Sequence, residues 1–194
     1  MKKMLVISVV LILISPAIYA QDTATDAGNV VFDIGSLVDI TFYTGDAYRN
    51  HEVTDIVIGS GVTSLNCSYF IIDNLALGGE VFYESYKVKG YEDPDTVFGI
   101  APVVSYYAPL IDKLYLRTSV GIMHISIKYS GYSDSVTQIG FNFSGGVIYI
   151  LIPNLGIYGS VTYATRLEAE YDGQALPDSA YDYIAFDVGL SIFL

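Results

Sequence analysis

The closing stretch "YDYIAFDVGLSIFL" (Tyr181–Leu194) decides the fold. Ile184, Phe186, Val188, Leu190, Ile192 and Leu194 share one parity, while Tyr183, Ala185, Asp187, Gly189, Ser191 and Phe193 share the other. A strand turns two such sets to opposite faces. One face suits lipid. The other is small, polar or aromatic, as the lumen of a membrane barrel requires.

The alternation recurs upstream. Leu155, Ile157, Val161, Tyr163 and Leu167 oppose Gly156, Tyr158, Ser160, Thr162, Arg166 and Glu168. Val30, Phe32, Ile34, Val38, Ile40 and Phe42 oppose Asp33, Gly35, Asp39, Thr41 and Tyr43, and Leu116, Val120 and Ile122 oppose Tyr115, Arg117, Ser119 and Gly121. Helical spacing fits none of them. Residues 54–70 alternate poorly, which places a bulge near Gly59-Ser60-Gly61. Eight strands are expected, at about 30–43, 54–70, 75–88, 96–108, 114–128, 137–151, 155–168 and 181–194.

The connections alternate in length. Short ones surround Asp73-Asn74, Pro109 to Lys113, and Pro153-Asn154. Asn74, Lys113 and Asn154 each precede a leucine, at spacings of 39 and 41 residues, so an antiparallel hairpin is the repeated unit. The long connections "TGDAYRNHEV", "KGYEDPD", "YSGYSDS" and "AEYDGQALPDSAY" are polar and rich in Tyr, Asp and Gly. Short turns at one end and long loops at the other are the pattern of outer-membrane barrels, periplasmic and extracellular respectively.

Composition agrees. The 194-residue chain is 52% apolar and 15% charged, with 18 Tyr and 18 Gly. After residue 20 no apolar run reaches the ~18 residues of a membrane-spanning helix, so a closed β-barrel is the remaining way to satisfy the backbone in lipid. The N-terminus reads as an export leader over 1–20: Lys2 and Lys3, the apolar run Met4 to Ile14, then Ser15-Pro16 and "AIYA" with cleavage after Ala20. Residues 21–29 would be a short tail and 30–194 the barrel. Without Lys2 and Lys3, seven of the nine basic side chains remain against 21 acidic ones, a formal charge of −14. That argues against a nucleic-acid partner, because such binding depends on Lys and Arg contacts to phosphate. The single Cys67 excludes an intrachain disulfide, and with only His51 and His124 no metal centre is expected.

"YFIIDNLALGGE" (Tyr69–Glu80) resembles the turn motif of the small bacterial outer-membrane β-barrels, the group of OmpA/OmpX-type barrels, and the resemblance covers roughly residues 30–194. It implies an all-β, eight-stranded, antiparallel, up-and-down transmembrane barrel in the cell outer membrane. Asp187, Gly189, Ile192 and Leu194 match the C-terminal assembly signal of such proteins, with Leu194 in place of the usual terminal Phe. The partners implied are outer-membrane lipids, the barrel assembly machinery, and host or extracellular ligands met by the outer loops. A monomer without a cofactor is expected.

The inward parity carries Asp33, Asp39, Glu80, Glu84, Glu168 and Asp187 against Arg117 and Arg166. Charges in a narrow interior must pair, stay hydrated or partly protonate, so an ion-pair network closing the lumen is expected, with a narrow proton or ion path as the alternative. Arg166 is expected to reach Asp187, and Arg117 to reach Glu80 or Glu84. Tyr69, Tyr106, Tyr107 and Tyr149 are read as one interfacial girdle, and Tyr86, Tyr129 and Tyr183 as the other. His124 and Ser126 resemble the His-x-Ser of outer-membrane lipid A deacylases, but Gln138 stands where an orienting acid is needed. No catalytic residue is therefore assigned. The leading expectation is a non-enzymatic protein serving envelope integrity or surface adhesion. A lipid-modifying enzyme and a soluble exported ligand-binding barrel are the alternatives.

Overall fold

In the computed structural model, the described residues are 24–45, 53–58, 64–86, 95–129 and 135–194. The leader at 1–20, the expected bulge at 59–61 and much of the first three long loops lie outside them. No helix among the described residues is long and apolar enough to cross a membrane.

The strands are β1 (Val30–Gly45), β2 (Val53–Ile58), β3 (Ser64–Ile72), β4 (Leu75–Tyr86), β5 (Asp95–Ile111), β6 (Leu114–Lys128), β7 (Val136–Ile152), β8 (Leu155–Arg166), β9 (Ala169–Tyr171), β10 (Gln174–Leu176) and β11 (Tyr181–Phe193). Eight form an antiparallel ring in the order β1, β3, β4, β5, β6, β7, β8, β11, closed by β11 on β1. Pairing of β11 with β1 closes the ring, which is the condition for a sheet in lipid, while β2 among the described strands pairs with β1 alone. The second expected strand is β2 together with β3, and both pair with β1. The last long loop holds a small β9–β10 hairpin that the sequence reading did not separate.

Two strand limits bear on the turns and the lumen. β5 runs on through Pro109, paired with Tyr115, so the turn is only Asp112-Lys113. A register shift between Pro109 and Ile111 accompanies it, and similar shifts precede the other two short turns. β8 stops at Arg166 rather than 168.

The repeat has a physical basis. The carbonyls of Asn29, Asn74, Lys113 and Asn154, each just before a strand, accept the N–H groups of Phe70, Tyr107, Ile150 and Phe193 at 2.9, 2.8, 2.8 and 3.0 Å. All four donors are buried, and with Val31, Ile148 and Tyr158 they form an apolar floor across the short-turn end. Asn74 and Lys113 hold positive φ, a conformation asparagine tolerates better than most residues.

The N-terminal segment is not a free tail. Thr25 donates through Oγ1 to Asn74 Oδ1 at 2.8 Å, Ala27 N–H donates to Asp73 Oδ1 at 3.0 Å, and Gly28 N–H donates to the Phe70 carbonyl at 2.9 Å. Ala24 joins the floor cluster, so the Asp73-Asn74 pair serves as both turn and latch.

Outside, the wall is apolar. Phe98, Ile100, Val104, Val120, Ile122, Val161, Ile184 and Phe186 are all exposed, while Ala101, Val103, Ser105 and Met123 on alternate positions are buried. Exposed apolar rows all round a closed ring are what a lipid solvent selects. Gly189 is required by close approach: the Tyr158 ring of the neighbouring strand lies where its Cβ would stand.

Candidate functional site in the barrel lumen

The residues that carry polar chemistry converge inside the ring. β6 is the fourth strand from β1 in either direction, so Arg117 and Asp33 face each other across the lumen. They form an ion pair, Nη1 to Oδ2 at 2.6 Å. Ser191 donates to the other Asp33 oxygen. The Arg117 guanidinium also lies over the Tyr158 ring, 4.8 Å from its centroid. Together these side chains make a polar layer directly above the apolar floor.

Asp187 lies on the same lumen wall and accepts a bond from Ser160 Oγ at 2.8 Å. Glu80 lines the lumen within electrostatic range of Asp33, Asp187, Arg117 and Arg166. Higher up, Arg166 is 8% exposed and its guanidinium lies over Tyr183 and Phe82, at 5.3 and 5.9 Å. Phe82 belongs to β4, diametrically opposite β8, so this contact also spans the barrel. Between the polar layer and the long-loop end is a cavity of about 1090 Å³.

Several expected contacts are replaced by others. Arg166 pairs in register with Tyr181, six residues from Asp187, a separation of roughly 20 Å along the strand. It therefore cannot reach that carboxylate. Arg117 bonds Asp33 rather than Glu80, because Asp33 stands diametrically opposite. Glu168 is exposed beyond the end of β8, and Ala169 turns inward in its place. Asp39 is placed by its backbone, paired with Asp187. Its side chain, and those of Glu84 and Tyr86, lie outside the described residues. Tyr69, Tyr106 and Tyr149 do point outward, but Tyr107 and Tyr183 point inward, and Tyr129, just past the end of β6, is exposed yet borders the lumen cavity. Tyr158, Ser191 and Phe82 carry lumen contacts that the charge-based reading missed, although the inward parity of the first two was legible.

In the assembly motif, Asp187 and Gly189 face the lumen, Ile192 pairs with Phe32, and Leu194 exchanges two backbone bonds of 2.8 Å with Val30. His124 is exposed between Ile100 and Ile139, and Ser126 lies between Phe98 and Thr137, so no carboxylate occupies a facing position. Gln138 turns inward and donates to the carbonyls of Leu167 and Ser179 at 2.7 and 3.3 Å. No group of three or more potential metal ligands occurs among the described residues.

No protein-family model and no curated protein matches the sequence. Solved structures do match. Outer membrane protein AlkL, determined in lipid bilayers, is 16% identical with a TM-score of 0.55, over 91% of this chain and 94% of that one. Neisserial surface protein A is 15% identical at 0.53, over 84% and 95%. The Yersinia pestis attachment invasion locus protein Ail, solved with the heparin analogue sucrose octasulfate, is 14% identical at 0.52, over 87% and 99%. The chain has the fold of the small eight-stranded outer-membrane β-barrels.

Proposed function

We propose that the chain is a non-enzymatic barrel of the outer membrane that acts in envelope integrity or surface adhesion through its long-loop end. The observation that carries this is a ring closed by β11 on β1 whose outer face is predominantly apolar among the described residues and whose lumen is shut at the short-turn end by an apolar floor. On this reading residues 1–20 are a cleaved leader, the short turns are periplasmic, and Asp187, Gly189, Ile192 and Leu194 address the chain to the assembly machinery. The Arg117–Asp33 tie, with Glu80 and Asp187 beside it, closes the lumen electrostatically.

The long-loop end favours particular partners. Glu168, Glu170, Asp172 and Asp178 are all exposed there. Such a surface would repel a sulfated polyanion of the kind found on Ail, so a basic or neutral surface is the partner expected here. In cells with two membranes, the protein should fractionate with the outer membrane, and deleting its gene should weaken attachment or raise permeability. Recovery as a soluble periplasmic monomer would refute the reading.

A further inference from the structure

We propose that the upper lumen is a binding site for a small monocarboxylate with an apolar body, its carboxylate held by Arg166. This goes beyond the surface role above and depends on the barrel fold alone.

Arg166 is nine-tenths buried and lines the cavity of about 1090 Å³. One guanidinium nitrogen donates to the Tyr183 hydroxyl at 3.3 Å, while Nε and Nη1 have no hydrogen-bond partner. Its Cδ passes close to Gly140, 2.9 Å from where a Cβ would stand, so a side chain there would displace it. Among the described residues no carboxylate is within ion-pair distance of it. Glu80 also lines this cavity, near enough to act on Arg166 through space but with no ion pair to it. A buried cation with open donors and no counter-ion in contact among the described residues is costly, and a carboxylate is the group that matches a guanidinium best.

The walls define the rest of the ligand. Met123 and Ile125, with Phe82, Val97, Ile127 and Tyr183 packed on them, form an apolar cluster lining the same cavity. An apolar body a few carbons long would lie against it. Asp33, Glu80 and Asp187 line the lower cavity and disfavour a multiply charged anion. The volume is near that of ordinary small-molecule sites, which run to about 1,000 Å³.

The test uses the full chain folded in a nonionic detergent, with 3-phenylpropionate as probe and the uncharged 3-phenylpropanamide as its control. The acid should bind saturably and shift the Nε–H resonance of Arg166. The amide should bind at least roughly tenfold more weakly, and Arg166→Met should abolish that preference. Folding of the variant is read separately from its mobility on unboiled gels; should it not fold, the wild-type pair of ligands decides. Equal binding of acid and amide, no saturable binding of the acid, or an Arg166→Met barrel that keeps the preference would overturn the proposal.

Discussion

Arg117→Ala is expected to destabilise the barrel by about 3 kcal/mol, near the lower end of the roughly 3–5 kcal/mol lost when one partner of a buried ion pair is removed. The figure is near the lower end because Asp33 and Arg117 also border the cavity, where water can partly solvate the orphaned carboxylate. Asp33 would keep only its bond from Ser191. The loss also removes a guanidinium stacked on Tyr158 and the Arg117–Asp33 tie between β6 and β1 across the lumen. Asp33→Asn combined with Arg117→Met should cost less than Arg117→Ala alone, since no unpaired charge then remains. The urea midpoint for loss of the folded band on unboiled gels reads both effects. In planar bilayers the wild type should show no large, steady conductance, because the apolar floor lies below this pair. An Arg117→Ala barrel as resistant as its parent would show that the lumen charges are hydrated and carry no load.

Deleting Ile192 to Leu194 should have a larger effect and leave essentially no folded protein in the membrane. Three interactions go together. The two Val30–Leu194 backbone bonds that finish the closure disappear, as does the Phe193 N–H bond to the Asn154 carbonyl. The floor also loses Phe193, which is 1% exposed. Edge groups opened in hydrocarbon cost several kcal/mol each, so the ring cannot close in lipid. The readouts are refolding yield in detergent and the amount reaching the outer membrane in cells. Loss in cells with normal refolding in vitro would locate the effect in the assembly signal alone; loss in both assigns it to the ring. Normal levels in both would contradict the role given to these residues.

Much of the fold was legible because strand parity is a strict period of two. Tyr181–Leu194 and Leu155–Arg166 follow it closely, and both strands stand where the pattern puts them, although Ile192 on the apolar parity is buried. Asp-Asn and Pro-Asn marked two of the turns. Elsewhere the pattern was broken by features with their own signals. Asp172-Gly173 is a strong hairpin signal, and both residues have positive φ in the β9–β10 turn, but strands of three residues are too short to show a period of two. The parity of β8 would turn Glu168 inward, but the strand ends at Arg166 and the parity no longer applies.

The lumen contacts were less legible for a geometric reason. Parity tells which side chains point inward, but not which of them meet. Contacts across the ring depend on stagger, which is set by the tilt of eight strands and not by any one of them. Arg117 therefore finds Asp33, 84 positions away in sequence, instead of the carboxylates nearer to it. Arg166 finds aromatic rings in place of an acid. Charge counting also overlooked Tyr158, whose ring packs against both Arg117 and the face of Gly189.

The central claim is that the outer face of the ring meets hydrocarbon, and the native Cys67 offers a direct probe of it. This cysteine is exposed on β3, on the same side as Leu65 and Tyr69. An environment-sensitive fluorophore can be attached to it in urea before the protein is folded into lipid vesicles. The account predicts strong quenching by lipids brominated on their acyl chains and little quenching by aqueous iodide. Quenching by iodide with none from the brominated lipids would place that face in water and contradict the membrane barrel.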